Sequence, residues 1–374
     1  VPIIDDVLDM RVSFLKQVDD GYIRNEFDGK YKGSEDTSSG RIQFSYAPND
    51  KFNANFSYSY SKRDDRPNST GEAVTGPFAN LKPYSVNVNG DERSEQDVDT
   101  FSLSTNYEFD SGFSLTSITG WSEVEDFYTA DVDHTPELFM QEEYLGNTQE
   151  WSQEIRLASP EHDKYDYIVG AYYINAENKL DDVYPVMGKE LLMFFGVPEE
   201  FVPADELDGQ RRNYTSESLA LFVHGNYHAT EKLTIFGGLR HTSDKKEVDY
   251  AFFGETLPLL LGVAPLEAKR NTKDNPVSWT LGARYTFNSE VVGYTSVATG
   301  YRSSTIKDYF VSQDDIDAES GFFTEPEFVT NYEFGLKVTA FDSRLRANFS
   351  AFYMDYTDIQ VSIDVPPNLF IKTL

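Results

Sequence analysis

The chain has 374 residues, no cysteine, and a formal net charge of -31 from 63 acidic against 32 basic side chains. That charge balance excludes nucleic-acid binding, because the average surface repels phosphate backbones, and the missing thiols exclude disulfides, thiolate metal sites and cysteine nucleophiles together. No window approaches the roughly 18 to 20 apolar residues of a transmembrane helix, and the opening VPIIDDVLDM lacks the regions of a signal peptide. Yet 28 Phe and 24 Tyr make the chain too aromatic for disorder. Any membrane span must be made of strands.

Taken in chain order, the predicted elements alternate with a period of two, the signature of a half-buried strand. Phe52, Ala54, Phe56, Tyr58 and Tyr60 fall on one face against Asn53, Asn55, Ser57, Ser59 and Ser61. The pattern returns at Phe101, Leu103, Tyr107 and Phe109, and again at Leu219, Leu221, Val223 and Tyr227. It continues at Tyr332, Phe334, Leu336 and Val338, and at Leu345, Ala347, Phe349 and Ala351, where Arg344, Arg346 and Asn348 hold the other face. About fourteen such segments are expected.

What joins the strands separates a membrane barrel from a soluble sandwich. Tight polar turns stand at APNDK (47–51), FDSG (109–112), SPEHDK (159–164), HATEK (228–232), FNSE (287–290) and FDSR (341–344). They alternate with long segments at approximately 21–40, 64–99, 129–147, 181–216, 252–273 and 303–325. Two rims of different character follow, with short turns on the periplasmic side and long loops outside. The fold class is therefore all-β, an antiparallel up-and-down transmembrane β-barrel, with aromatic rings such as Phe109, Tyr165, Tyr227, Phe287 and Phe341 at the short-turn rim.

The chemistry-bearing residues are sparse. The histidines are His134, His162, His224, His228 and His241. On a strand His224 and His228 stand roughly 13 Å apart, too far for one zinc ion. No Walker loop and no Gly-x-Ser-x-Gly elbow occurs, so no enzyme and no cofactor are expected. Acidic runs at Asp126, Asp131 and Asp133, and at Asp314, Asp315, Asp317 and Glu319, are calcium candidates without the full EF-hand ligand pattern. Two loop stretches are unexpectedly apolar, at 183–202 and 252–266, and are expected to pack together and shield the mouth. Prolines at 185 and 198 bracket a short helix expected over Lys189–Phe195. Met187, Leu191, Met193, Phe194 and Phe195 in the first stretch, with Arg302 at a strand end, are the ligand-contact candidates.

Three stretches carry a family likeness. EWSQEIRLASP (150–160) resembles a barrel strand of TonB-dependent outer-membrane receptors, in which Ser-Gln-Glu-x-Arg precedes a periplasmic turn. VGYTSVATGYRSS (292–304) is similar to their Tyr-rich strand before a long loop, and 324–361 resembles their Tyr-Glu-x-Gly-x-Lys hairpin ending in Tyr-x-Asp-Tyr-x-Asp-Ile-Gln. The resemblance implies a plug domain and a TonB box, neither of which the chain shows. It also implies more strands than fourteen, since plugged transporters have 22. Residues 1–374 are thus expected to form a single partial barrel domain, an open curved sheet. Its implied work is TonB-dependent uptake of a scarce nutrient, such as an iron–siderophore, cobalamin-like or oligosaccharide ligand, across the bacterial outer membrane. The implied partners are the TonB energy-transducing system through the plug, outer-membrane lipid and a small-molecule nutrient. A passive porin and a secreted carbohydrate-binding or adhesive β-sheet protein are the alternatives.

Overall fold

The structure, a computed structural model, describes all residues except 67–83, 91, 133–134, 138, 163, 188–191, 194–195, 203–206, 307–312, 318–321, 366–369 and 374. Its strands in chain order are β1 (Pro2–Ile4), β2 (Leu8–Asp19), β3 (Ile23–Asn25), β4 (Tyr31–Lys32), β5 (Ser34–Asn49), β6 (Phe52–Arg66), β7 (Ser85–Val86), β8 (Arg93–Glu108), β9 (Ser114–Asp131) and β10 (Met140–Ala158). They continue as β11 (Tyr165–Met187), β12 (Asp208–His228), β13 (Leu233–Phe253), β14 (Leu266–Asp274), β15 (Val277–Thr286), β16 (Val291–Arg302), β17 (Glu327–Ala340), β18 (Leu345–Thr357), β19 (Ser362–Val365) and β20 (Phe370–Thr373). Short helices α1 (Thr256–Leu261) and α2 (Gln313–Asp317) lie in the two connections that flank β14–β16.

One antiparallel meander dominates, in the order β1-β2-β5-β6-β8-β9-β10-β11-β12-β13-β15-β16-β17-β18, with β14 paired to the far half of β13. The sheet is open, since β1 and β18 each have one neighbour. Every one of the six short turns expected from sequence falls at the same rim, for example between Asn49 and Phe52 and between Ala158 and Tyr165.

At membrane height the outer row is greasy. Phe44, Phe56, Leu103, Ile155, Ala171, Leu221 and Leu239 share it, as the cross-strand partners Phe44↔Phe56↔Leu103 and Ala171↔Leu221 require. Leu221 is 60% exposed, which water would penalise and lipid does not. Aromatic rings bound this belt at both heights. Tyr46 against Phe52, Tyr107 against Phe109 and Tyr285 against Phe287 lie at the short-turn rim. Tyr58, Phe101, Trp121 and Trp151 are successive cross-strand partners at the upper limit, and the Trp151 and Tyr173 rings continue the line 5.6 Å apart. From Tyr165 to Tyr173 the span is close to the roughly 9–11 residues a tilted membrane strand needs.

The strands do not stop at the belt. β9–β13 run 18 to 23 residues, so much of the segments expected as loops at 129–147 and 181–216 is strand, and 252–273 contains both α1 and β14. Above the belt neither face meets lipid, and the outward apolar row that marks a membrane strand in sequence disappears while backbone pairing continues. Ion pairs across or along the outer row replace it, including Lys62–Asp97 at 3.0 Å, Arg211–Asp181 at 2.5 Å and Lys245–Glu247 at 2.6 Å.

β13 shows the change within one strand. Leu233, Ile235 and Leu239 face out in the membrane, whereas Ser243, Lys245, Glu247 and Asp249 occupy the same row above it. The inner row does the reverse, passing from Thr234, Arg240 and Thr242 to Val248, Tyr250 and Phe252, all three buried. The apolar parity inverts because the surroundings invert. Lipid lies outside the lower half, and a packed cap lies inside the upper half.

Candidate functional site

That cap closes over the inner wall of the mouth. Tyr184, Val248, Tyr250, Phe252 and Ala268 from the wall meet Leu257 of α1, Ile316 of α2, and Phe322 and Phe323 in one buried cluster. Tyr250 and Phe322 pack edge to face at 5.5 Å, a geometry favoured by the ring quadrupoles. The expected packing of the apolar stretch 252–266 against the 183–202 stretch is seen where Phe252 and Leu257 meet Tyr184. Leu192 and Met193 are helical, Leu192 is buried and Met193 exposed, while Leu191, Phe194 and Phe195 lie outside the described residues.

Polar contacts anchor the cap. The buried Asp208 accepts a 2.9 Å bond from the Leu257 backbone N–H, and Gly254 at φ +101° passes so close that a Cβ there would lie 2.1 Å from Asp208 Oδ1. On the other side Asp274 accepts from the Ser304 backbone at 3.0 Å and from the Ser304 hydroxyl at 2.6 Å. Lys246 donates to the Ser304 carbonyl, and Tyr301 donates to Asp244. Burial pushes the Lys246 ammonium below the usual lysine range, with Asp244 and Asp274 acting against the shift. Gln360 ties the base of the 303–325 connection to the sheet by donating to Ser303 O and Glu325 O at 3.2 and 2.9 Å. Arg302 ends β16 opposite Glu327 at this base and is exposed.

Beside the cap lies a second group of inner-row residues that the sequence patterns did not single out. β10 and β11 shift register here, so that Tyr184 and Pro185 fall opposite Glu142. Asp182, across from Tyr144 on the neighbouring strand, is on the same inner row. Tyr128 donates to Glu142 at 3.0 Å, and Gln210 donates to the fully buried Asp182 at 3.0 Å. The Tyr128 and Tyr144 rings stack at 4.8 Å with 14° between planes. Burial, then Asp182, pushes Glu142 up to about 7. Burial also raises the Tyr128 and Tyr184 phenols. These groups stand well above Trp151, by roughly 30 Å of strand, and hence outside the membrane. Their only sequence signal was a polar inner row containing tyrosines, which does not distinguish them from any other strand.

The remaining candidates disperse. His224 and His228 share the inner row of β12. His228 is held at the short-turn rim, with Nε2 at 2.9 Å from Asp166 and Nδ1 at 3.2 Å from Thr234. Asp131 is buried and accepts from the Asn89 and Gly90 backbone at 3.2 Å each, while Asp126 accepts from Gln96 at 2.8 Å. Both organise the upper wall. Asp133 and His134 lie outside the described residues. Asp314, Asp315 and Asp317 sit in α2, where Asp317 accepts from Gln313 at 3.1 Å. Among the described residues no group of three or more His, Cys, Asp or Glu side chains is arranged to hold a metal ion. A groove of about 620 Å³ bordered by Glu95, Asp97, Lys179, Asp181 and Arg211 opens on the outer face of the sheet, away from the cap.

A lipid-facing apolar belt, a polar inner row and capped strand ends define the wall of an outer-membrane β-barrel. The chain belongs to the TonB-dependent receptor-like β-barrel family, whose model matches residues 44–372, and its place is the outer membrane of a Gram-negative cell. It is 26% identical over 370 residues to the pesticin receptor of Yersinia pestis, a match covering 96% of this chain and 48% of that protein. The pesticin receptor of Yersinia enterocolitica matches to the same extent. Among solved structures it is similar to the ferric yersiniabactin uptake receptor FyuA of Yersinia pestis, with a TM-score of 0.74 and 22% identity over 96% of this chain and 51% of that one. It is also similar to the ferric-catecholate import receptor Fiu of E. coli K12, with a TM-score of 0.67 and 13% identity over 100% of this chain and 57% of that one. The chain spans about half the length of these relatives.

Proposed function

We propose that this chain forms barrel wall and extracellular loops of a receptor that imports a scarce nutrient complex, a ferric siderophore first among the classes considered, with energy from the TonB system acting through a plug. The observation that carries the reading is the buried cap over the inner mouth wall. An open diffusion pore gains nothing from an apolar cluster such as Tyr250, Phe252, Leu257, Phe322 and Phe323 at its entrance, whereas a receptor that captures a dilute ligand needs a mouth that can close. The uptake of ferric yersiniabactin by FyuA and of ferric catecholates by Fiu supports iron complexes over cobalamin-like or oligosaccharide ligands. Met187, Leu191, Met193, Phe194, Phe195 and Arg302 are proposed ligand contacts, and Asp314, Asp315 and Asp317 a proposed calcium site.

The test is growth of a strain lacking the whole gene, in iron-limited medium supplemented with single ferric siderophores, with and without a functional TonB. Loss of growth on at least one siderophore, restored by the gene only when TonB is present, is the expected result. Growth restored equally without TonB would support a passive pore instead.

A further inference from the structure

The groove of about 620 Å³ on the outer face above the lipid belt plays no part in uptake through the lumen. Two successive cross-strand rungs build it. The upper rung runs Glu95, Phe127, Leu145, Asp181 and Arg211 from β8 to β12, and the lower runs Asp97, Glu125, Asn147, Lys179 and Asn213. An aromatic ring and a leucine that is 45% exposed thus form an apolar centre, flanked on both sides and below by polar groups. That is the mixture a small-ligand site needs. Asp181 is engaged by Arg211 at 2.5 Å, but Glu125 and Asn213 are exposed, and Lys179 meets Glu177 only at 3.9 Å. Ionised carboxylates only accept hydrogen bonds, the amides accept and donate, and Lys179 donates, so the set suits hydroxyl groups. Glu95, Asp97, Glu125 and Asp181 outnumber Lys179 and Arg211, which disfavours phosphate.

Height selects the ligand. The groove continues the lipid-facing row upward, since Glu125 and Phe127 stand four and six residues beyond Trp121 on the same face of β9. At about 3.3 Å per residue and a tilt near 45°, that is roughly 9 to 14 Å above the tryptophans, which themselves sit at head-group level. A phospholipid ends below the groove, whereas a glycolipid in the same leaflet carries its sugars up to it. We propose that this groove binds the sugar chain of an outer-leaflet glycolipid. The C–H face of a sugar ring lies on Phe127 and Leu145, and its hydroxyls meet Glu125, Asn147 and Lys179. The bound chain covers the outer wall where lipid tails do not reach and holds the barrel at one depth in the leaflet. This assignment rests on the outer-membrane location and is independent of what the receptor imports.

Saturation-transfer NMR of the full-length receptor in detergent micelles tests this, with the dephosphorylated oligosaccharide released from outer-leaflet glycolipid as the probe. Transfer to the sugar C–H protons is expected with the wild type. Phe127→Ser and Asn147→Ala should each weaken binding roughly fivefold, the scale of losing one central contact. Lys245→Gln, on the outer row of β13 away from the groove, should leave binding unchanged. Inorganic phosphate at equal concentration should not displace the sugar. Absence of transfer with the wild type, or displacement by phosphate, overturns the proposal. So does undiminished binding in either groove variant, which is the result expected if the sugar sits in the lumen instead.

Discussion

At membrane height and at the mouth the same strands obey opposite rules. In the belt Leu219, Leu221 and Val223 of β12 point outward and are exposed, while the inner row is largely polar. Two turns of pairing higher, the apolar residues of β13 point inward, as Val248, Tyr250 and Phe252, and the outer row carries Lys245, Glu247 and Asp249. The backbone register against β12 is unbroken from Thr234 to Phe253 across this change. Side-chain burial in a barrel wall is therefore set by what lies against each height of the wall, and the sheet itself supplies only the alternation.

Substitutions that swap the environments break this contrast most severely. Phe252→Ala removes a fully buried ring from the cap cluster and is expected to cost about 3–5 kcal/mol of cap stability. Protease sensitivity of the 254–265 segment in the folded receptor should rise, while the detergent-resistant barrel core stays intact. The counterpart in the belt is Leu221→Arg, for which lipid exposure predicts a loss of roughly 2–4 kcal/mol, read from folding yield into lipid vesicles. The same charge introduced at Thr215, on the same outer row above the belt, should leave that yield unchanged. If both arginines cost the same, the belt has been drawn at the wrong height.

Smaller effects sharpen the picture. Gly254→Ala places a methyl group against Asp208 at a left-handed backbone position, and a penalty of about 1–3 kcal/mol is expected, confined to the cap. Hydrogen exchange of α1 is the direct measurement, and unchanged protection would show that Asp208 does not anchor it. Arg211→Ala removes an outer-row ion pair with Asp181 whose side chains are 58% and 41% exposed. Water screens that pair, so the change should be under about 1 kcal/mol and smaller still in high salt. A larger loss by thermal melting would mean that the outer surface above the belt is covered in the membrane.

Much of the fold was legible because lipid exposure writes itself into sequence. Phe52 to Tyr60 alternates cleanly, and each tight turn from APNDK to FDSR marks one rim. The stretch EWSQEIRLASP places its own turn at the end of β10. Legibility failed where the belt ends. β14 was hidden within an expected loop because LEAKRNTKD carries only Leu266 and Ala268 as apolar residues, too few to show alternation. The upper parts of β8, β10, β11 and β12 read as loops for the same reason, since water on one side and polar contacts on the other demand no alternation. Of the residues at the candidate site, the apolar stretch 252–266 was recognisable, but Tyr128, Tyr144, Asp182 and Gln210 were not, being far apart in sequence and aligned only by the pairing of β9, β10, β11 and β12.

The sequence by itself determined an antiparallel meander, its two unlike rims and the side that meets lipid, because each is written in residues near one another along the chain and enforced by the period of the strand. Tertiary structure alone decided how far the strands rise above the membrane, that the apolar face of β13 turns inward there, and that Tyr184, Tyr250 and Phe322 meet in one buried cluster. Those features depend on which neighbour lies across the sheet or over its end, and no local pattern of side chains encodes a neighbour at that distance.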